Sequence, residues 1–181
     1  MNPSKIFERM REDHRRVLDE IKILEAAAMT AGSRREDRDW PGETVLSVLA
    51  TLGRQFDTHM AAEDEILYPA LSEALPGTRP SIEPLMADHG TLRMMLSDLD
   101  EGLREPPSTA RNELIGVQLR DLVDLLRIHI RKEEVVVFAV AERALPAREV
   151  EALAARMDRE PAGSSRSTQV PVPRHSKGAQ P

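Results

Sequence analysis

The sequence predicts an all-α fold, an antiparallel up-and-down four-helix bundle, on three observations. Aromatic residues make up only 3% of the 181 residues, whereas Ala, Leu, Arg and Glu are abundant, a balance that favours helices over a β-sandwich. Apolar residues recur in steps of three and four along four long stretches, as a helix with one buried face requires. The breaks between these stretches are short, so consecutive helices are expected to run antiparallel.

The first two helices have recognisable boundaries. Asn2 and Pro3 form a helix start, because Asn can cap a helix and Pro is tolerated at its first position. We expect this helix to end near Thr30, before a polar loop. The second helix is predicted over residues 43–74, with a kink at Pro69, which lacks the N–H that the helical hydrogen bond needs.

The later helices are separated by proline. The third is predicted over residues 81–104 and the fourth over residues 108–145, with Pro106 and Pro107 between them. A short fifth helix is predicted over residues 146–158. It is expected to dock on the bundle through Val150, Leu153 and Met157.

The bundle and the end of the chain differ in composition. A chain of 181 residues is long enough for one domain with its own core, which we place at residues 1–159. Residues 160–181 are poor in apolar side chains and rich in Pro, Ser and Gly. Such a segment cannot bury enough surface to fold, so a disordered tail is predicted there.

Charge and cysteine content exclude several classes of function. The net charge of -6 argues against a nucleic-acid partner. The absence of cysteine excludes thiolate zinc sites, iron-sulfur clusters and cysteine nucleophiles, so a metal site must use nitrogen and oxygen. The sequence shows no run of 18 apolar residues and no apolar leader, so we expect a cytoplasmic protein without a membrane partner.

Polar residues interrupt all four predicted apolar stripes. On the second stripe, for example, Phe56 is followed by His59 and Glu63 at the spacing of the buried face, and the fourth stripe is predicted to continue through Val136 and Val140. The polar positions on the four stripes are His14, His59, Glu63, His89, His129 and Glu133. A buried carboxylate without partners costs several kcal/mol, so this placement needs a physical cause.

An internal repeat shows that the pattern is not accidental. EDHRRVL around His14 matches ADHGTLR around His89, and HMAAEDEILYP from His59 matches HIRKEEVVVFA from His129. Each half therefore supplies a lone histidine on one helix and an H-x-x-x-E pair on the next. A single H-x-x-x-E pair is usually an i,i+4 pair on an exposed face, but two copies on core stripes are not explained in that way.

Metal binding accounts for these residues. Cations hold buried carboxylates in the ionised form and take the lone pairs of imidazoles. Residues i and i+4 lie on one helix face, so each H-x-x-x-E pair presents a nitrogen and an oxygen to the same point. Two such helices facing each other predict two metal positions that share carboxylates. The nitrogen-rich ligand set suits iron.

This set of six positions resembles the hemerythrin-like, or HHE cation-binding, domain family. His14, H-x-x-x-E from His59 continuing into ILYP, His89, and H-x-x-x-E from His129 continuing into VVVF carry the resemblance, which covers about residues 6–142. It implies a four-helix bundle with an oxo- or hydroxo-bridged pair of iron ions; manganese or a mixed iron and manganese pair is an alternative.

The resemblance also implies a role for each ligand. His14 and His59 would hold one iron, and His89 and His129 the other. The two glutamates, Glu63 and Glu133, would bridge them. The expected partner is a small ligand, O2, NO or H2O2, bound in oxidative or nitrosative stress response or sensing.

One position departs from the oxygen-carrying hemerythrins. These are expected to have a further histidine one turn after the ligand of the third helix, where this chain has Arg93. With two imidazoles, two carboxylate oxygens and one bridge, each iron would keep a vacant position. Two open irons favour reaction with peroxide or NO, or sensing, over reversible oxygen carriage. A peroxide-decomposing, catalase-like oxidoreductase is the alternative, followed by iron storage and iron-centre repair.

Three further residues carry two interpretations each. Asp13 and Asp88 precede the lone histidines and are either solvated helix charges or partners that orient an imidazole of a neighbouring helix. Tyr68 and its counterpart Phe138 are expected to serve packing first, with redox chemistry or hydrogen bonding to a bound ligand as the second interpretation of Tyr68. His175, in the predicted tail, is not expected to be a ligand.

Overall fold

The computed structural model describes residues 5–31 and 40–159, and within these ranges the chain is helical, without a strand. The predicted all-α helical bundle is therefore confirmed. The helix start at Asn2 and Pro3, most of the first loop and the predicted tail lie outside the described residues. Among the described helices, none combines the length and the apolar character that crossing a membrane requires.

The helical segments follow the predicted order, with additional short elements. The bounds are α1 Lys5–Thr30, α2 Gly42–Ala62, a π-helix Glu63–Leu67, α3 Tyr68–Ala74, a 3₁₀ turn Pro76–Thr78, α4 Arg79–Arg104, α5 Thr109–Lys132, a π-helix Glu133–Phe138, α6 Ala139–Ala144 and α7 Ala147–Arg159. The second and fourth predicted helices are thus each continuous helical stretches with a π-helical turn inside them.

The long helices form the four walls of a bundle. α1 packs against α2 and α5, and α4 packs against the same two helices. α7 covers one end, where Val150 and Leu153 are buried. The C-terminal end of α7 is held by an ion pair between Arg9 and Asp158 at 2.5 Å. The predicted fifth helix therefore docks on the bundle as expected.

Two apolar clusters fill the interior, and the polar stripe positions lie between them. The larger cluster includes Leu24, Leu52 and Leu122, and the smaller one includes Phe7 and Phe138. Along α1, for example, His14 follows Met10 of the smaller cluster and precedes Val17 of the larger one. The polar residues consequently occupy a layer sealed from above and below by apolar side chains.

The two π-helical turns change which residues face the core. Each begins at a glutamate of an H-x-x-x-E pair, Glu63 or Glu133. A π turn holds more residues than an α turn, so the buried face shifts along the sequence. Val136, predicted to be buried, is 40% exposed, whereas Val137 is 4% exposed. The prediction of Val136 as a core residue is therefore wrong, and Val140, also predicted to be buried, is only partly so.

The helix irregularity expected at Pro69 is a π turn rather than a simple kink. Pro69 lies in the first turn of α3, directly after the π-helix Glu63–Leu67. The second half of the chain has Ala139 at the matching position and makes the same π turn. Proline is therefore not the common cause, and both π turns instead accompany a buried glutamate, as is frequent at functional sites.

Candidate metal centre

The structure brings all six predicted ligands together in the middle of the bundle. α1 supplies His14, α2 His59, α4 His89 and α5 His129, and the two π turns supply Glu63 and Glu133. All are buried except His59, whose side chain keeps 14% exposure. Their binding of a metal stays a prediction, but their convergence from four helices is a feature of the fold.

The four imidazoles form two pairs. The Nε2 atoms of His14 and His59 lie 3.0 Å apart, and those of His89 and His129 lie 3.0 Å apart. All four rings therefore turn Nε2, the usual metal-binding nitrogen, toward the centre. The pairs match the predicted division of the histidines between two metal positions.

The two glutamates lie between the pairs. Glu63 Oε1 is 3.0 Å from His59 Nε2, and its Oε2 is 3.5 Å from His89 Nε2, so this carboxylate turns one oxygen to each pair. Glu133 Oε2 alone approaches both, at 3.2 Å from His14 Nε2 and 3.5 Å from His129 Nε2. Two groups of four residues result, and each could hold a metal ion: His14, His59, Glu63 and Glu133 in one, and His89, His129, Glu63 and Glu133 in the other.

Tyr68 makes the two glutamates different. Its buried hydroxyl donates a hydrogen bond to Glu133 Oε1, the oxygen turned away from the imidazole pairs. Phe138, the counterpart of Tyr68, has no hydroxyl to give to Glu63. Both rings also stack on lone histidines, Tyr68 on His89 at 5.8 Å and Phe138 on His14 at 5.5 Å between centroids. Packing was the expected role of Tyr68, and the hydrogen bond to a carboxylate is an addition that sequence reasoning missed.

Buried oxygens without partners show that a cation fits this site. Both oxygens of Glu63 and Oε2 of Glu133 are buried and accept no hydrogen bond within the described structure. An ionised carboxylate in such surroundings costs several kcal/mol unless a positive charge compensates it. Oxygen and imidazole nitrogen atoms converging on one point are the donor set of a metal ion such as iron, manganese or zinc.

The pKa directions support the same conclusion. Burial, with the nearby charge of Glu133, raises the pKa of Glu63. Burial alone would lower the pKa of His59, but the carboxylates of Glu63 and Asp13 outweigh it and raise this pKa to about 10. Burial and the charges of Glu63 and Glu133 raise the pKa of Tyr68 above its ordinary range, so its phenol keeps its proton. The side of the site around His59 therefore favours positive charge, whereas burial lowers the pKa of His129 on the other side.

Carboxylates also meet the outward-facing Nδ1 atoms of the lone histidines. His89 Nδ1 donates to Asp64 Oδ1 at 2.7 Å, and His14 Nδ1 donates to Glu134 Oε1 at 3.0 Å. Such bonds fix the tautomer and leave Nε2 free for a metal. Asp64 therefore belongs to the site although it is not one of the predicted ligands, because its carboxylate holds one of the four imidazoles.

Asp13 and Asp88 face the other two imidazoles. Asp13 Oδ2 lies 3.6 Å from His59 Nδ1, and Asp88 Oδ2 lies 3.6 Å from His129 Nδ1. These distances are too long for hydrogen bonds, but they place each carboxylate beside an imidazole of a neighbouring helix. The orienting interpretation stays a prediction, because each carboxylate also forms an ion pair with an exposed basic side chain. Each imidazole of the site thus has one carboxylate at its outer nitrogen.

Asp64 and Glu134 were missed although the sequence holds a signal for them. Each directly follows the glutamate of an H-x-x-x-E pair, so the repeat contains E-[D/E] in both halves. The side chain of Arg93 is 42% exposed, and its guanidinium lies 3.3 Å from Asp64 Oδ2. The residue at the position of the additional hemerythrin histidine therefore pairs with the carboxylate that holds His89.

Removing the carboxylate of Asp64 should weaken metal binding without removing a ligand. We expect Asp64→Ala to lower metal affinity by about 10- to 100-fold, because His89 loses the bond that sets its tautomer and orientation. Metal competition with a chelator of known affinity measures the change. Asp57→Ala, at an exposed position of α2, is the matched control. Equal affinities in the two variants would show that Asp64 does not position His89.

Removing the hydroxyl of Tyr68 tests the asymmetry between the glutamates. Tyr68→Phe should keep the packing but leave a buried oxygen of Glu133 without its donor, at a cost of about 1–3 kcal/mol in unfolding free energy. Denaturant unfolding at fixed metal concentration measures it. Thr91→Val, which removes an exposed hydroxyl bonded to its own helix, is the control. An unchanged stability in Tyr68→Phe would mean that the hydroxyl does not serve Glu133.

A cavity of about 690 Å³ leads to one side of the site. Its walls include His14, His59, His129 and Glu133, but neither His89 nor Glu63. Its outer part, between α1 and α2, is lined by charged side chains such as Arg54. The cavity therefore gives access mainly to the group that contains His14 and His59.

Comparisons with known proteins agree with this geometry. The sequence model of the hemerythrin HHE cation binding domain matches residues 5–160. No match was found among curated proteins. The match spans nearly all of the helical bundle and includes the six residues at its centre. The chain belongs to the hemerythrin HHE cation-binding domain family.

Proposed function

We propose that this protein is a non-haem di-iron protein that binds or reacts with O2, NO or peroxide, in the response to oxidative or nitrosative stress or in its sensing. One observation carries the proposal: two groups of four ligands share Glu63 and Glu133, and each has its own pair of imidazoles. Two metal ions held so close together, with carboxylates between them, are typical of centres that act jointly on one small ligand.

The donor set supports iron. Each group offers two imidazole nitrogens and carboxylate oxygens, and the chain has no thiolate to favour a softer metal. Manganese, or one ion of each kind, is compatible with the same donors. Iron at these positions would supply a Lewis-acidic and redox-active centre for a diatomic or peroxide ligand.

The surrounding residues prepare the site for a small ligand. The cavity beside His14 and His59 provides access, and apolar side chains such as Phe56 and Met60 line its inner wall. An apolar wall excludes bulk water and strengthens the electrostatic interactions inside. Tyr68 holds a proton at its hydroxyl, next to Glu133, and keeps that carboxylate in one orientation.

A peroxide-decomposing, catalase-like oxidoreductase is the second candidate. Arg93 favours it, because its guanidinium pairs with Asp64 where a further histidine would close one metal position, so both positions would be open to peroxide. Storage is less well supported, since two positions held by six side chains give little capacity. Repair of other iron centres is also less well supported, because the chain has no cysteine.

Visible spectroscopy separates the candidates. The purified, reduced protein is exposed in turn to O2, NO and H2O2, and oxygen evolution from peroxide is recorded. A stable spectral change without turnover would support a binding protein or sensor, and steady oxygen evolution would support the enzyme. Stable, reversible oxygenation over many cycles would contradict the preference against an oxygen carrier. If none of the three ligands changes the spectrum of the iron-loaded protein, the proposed function is wrong.

A further inference from the structure

The cavity beside the metal centre is much larger than its proposed small ligands. Its volume of about 690 Å³ compares with about 30 Å³ for one water molecule, which is close to the size of O2 or NO. Cavities of about 300–1,000 Å³ are typical of sites for organic molecules of moderate size. The space is therefore sufficient for a second, larger ligand.

The inner wall of this cavity is apolar. Residues from α1, α2 and α5 contribute, each at most 5% exposed: Met10, Val17, Phe56, Met60, Leu126 and Ile130. A wall of this kind stabilises an apolar body by removing it from water. Met10 and Met60 are flexible, and the ring of Phe56 is flat. These side chains therefore suit an extended alkyl chain better than a compact polar molecule.

The outer part is positively charged because of Arg54. Arg9 pairs with Asp158 at 2.5 Å and Arg16 pairs with Asp13 at 3.1 Å, so these two arginines are neutralised. Arg54 donates to the hydroxyl of Thr51 at 3.3 Å, and within the described part of the chain no carboxylate pairs with it. An uncompensated guanidinium at the mouth of an apolar cavity is a binding point for an anion.

Gln55 adds a polar group beside this arginine. Its Oε1 is buried without a hydrogen-bond partner among the described residues, and the side chain lines the cavity. The hydroxyls of Thr51 and Thr58 on the same helix face are already bonded to backbone oxygens of α2. The Gln55 oxygen can therefore accept only from a ligand atom that donates, and the two threonines are already satisfied, so Arg54 alone remains as the binding point for a negative charge.

We propose that this cavity binds an organic anion with an apolar tail, with its negative head at Arg54 and its tail along the apolar wall toward His14 and His59. This is a second ligand, beyond the proposed function. It depends on the cavity and on Arg54, and not on which small molecule the metal centre takes.

Straight-chain carboxylates test the site in the iron-loaded protein. Calorimetric titration with hexanoate, octanoate and decanoate should show binding that tightens about three- to fourfold per added methylene, the value for burying one such group. Decanol, which lacks the charge, should bind at least about tenfold more weakly than decanoate. A carboxylate that only coordinates metal would show no dependence on chain length, and that result would overturn the proposal. So would equal binding of decanol and decanoate.

Two substitutions at exposed positions locate the binding. Arg54→Glu should weaken decanoate binding by at least about tenfold, because it reverses the charge at the head group. Thr58→Trp should also weaken it, by filling the mouth. Arg148→Glu makes the same charge change on α7, away from the cavity, and should leave binding unchanged. Unchanged binding in both Arg54→Glu and Thr58→Trp would overturn the proposal.

The metal centre is monitored separately in each of these proteins. Iron content and the visible spectrum are recorded before each titration. If iron is bound and reacts with small ligands but decanoate does not bind, only the proposal of a second ligand fails. If decanoate binds as expected but iron is absent or inert, only the proposed function fails.

Discussion

Glu63→Gln is expected to lower the iron content from two ions to less than one per chain. Glu63 offers one oxygen to each imidazole pair, so both groups of ligands lose a charged member at once. Outer partners of metal ligands contribute about 10- to 100-fold in affinity, and the loss of a shared ligand should exceed this. Elemental analysis after dialysis against a weak chelator measures the content.

Stability separates a lost ligand from a misfolded chain. In the metal-free state, Glu63→Gln should be close to the wild-type protein in stability, because the amide keeps the contact with His59 and removes a carboxylate whose burial raises its pKa. With metal, the wild-type protein should be the more stable one. Glu65→Gln, on the exposed side of the same π turn, is the control and should bind two irons. Two irons in Glu63→Gln would contradict the shared role.

Phe138→Ala is expected to cause the largest loss of stability among the site-related variants, about 3–5 kcal/mol. The ring is fully buried, packs against Phe7 at 5.5 Å between centroids and stacks on His14. Its removal leaves a cavity next to a ligand histidine. Denaturant unfolding of the iron-loaded protein, at one metal concentration for all variants, measures the change.

Val136→Ala is the control, and it also tests the π turn. Val136 is 40% exposed, so its truncation should cost less than about 1 kcal/mol. An uninterrupted α-helix after Glu133 would bury Val136 and make this substitution costly. A loss in Val136→Ala as large as that in Phe138→Ala would therefore contradict the π-helical register.

The sequence was sufficient for the long helices and for the layer that holds the site. Steps of three and four between apolar residues determine which face of each helix is buried, and histidine or glutamate at those steps must then lie in the core. The internal repeat then indicated that these residues form one site, because each half of the chain has a lone histidine on one helix and an H-x-x-x-E pair on the next. The convergence of the six predicted ligands follows from these two patterns.

The register after each ligand glutamate could not be predicted. The run VVVF after Glu134 is apolar at every position, so its periodicity does not indicate which side is buried. The structure exposes Val135 and Val136 and buries Val137 and Phe138. A π turn is rare, and a constant helical spacing is the default assumption that it violates.

The partners of the ligands were harder to predict than the ligands themselves. Acidic residues such as Asp64 are common on exposed helix faces, so only their recurrence after both glutamates distinguishes them. The bond from Tyr68 to Glu133 joins residues 65 positions apart, on helices whose rotation the π turns set. That contact depends on three-dimensional packing and has no local sequence signal.

A crystal structure of the iron-loaded protein with anomalous diffraction tests the central claim most directly. We predict two iron peaks inside the bundle, about 3.5–4 Å apart, one within about 2.2 Å of the Nε2 atoms of His14 and His59 and the other within the same distance of those of His89 and His129. Glu63 should have one oxygen on each. A single peak, or peaks outside this layer of side chains, would contradict the account.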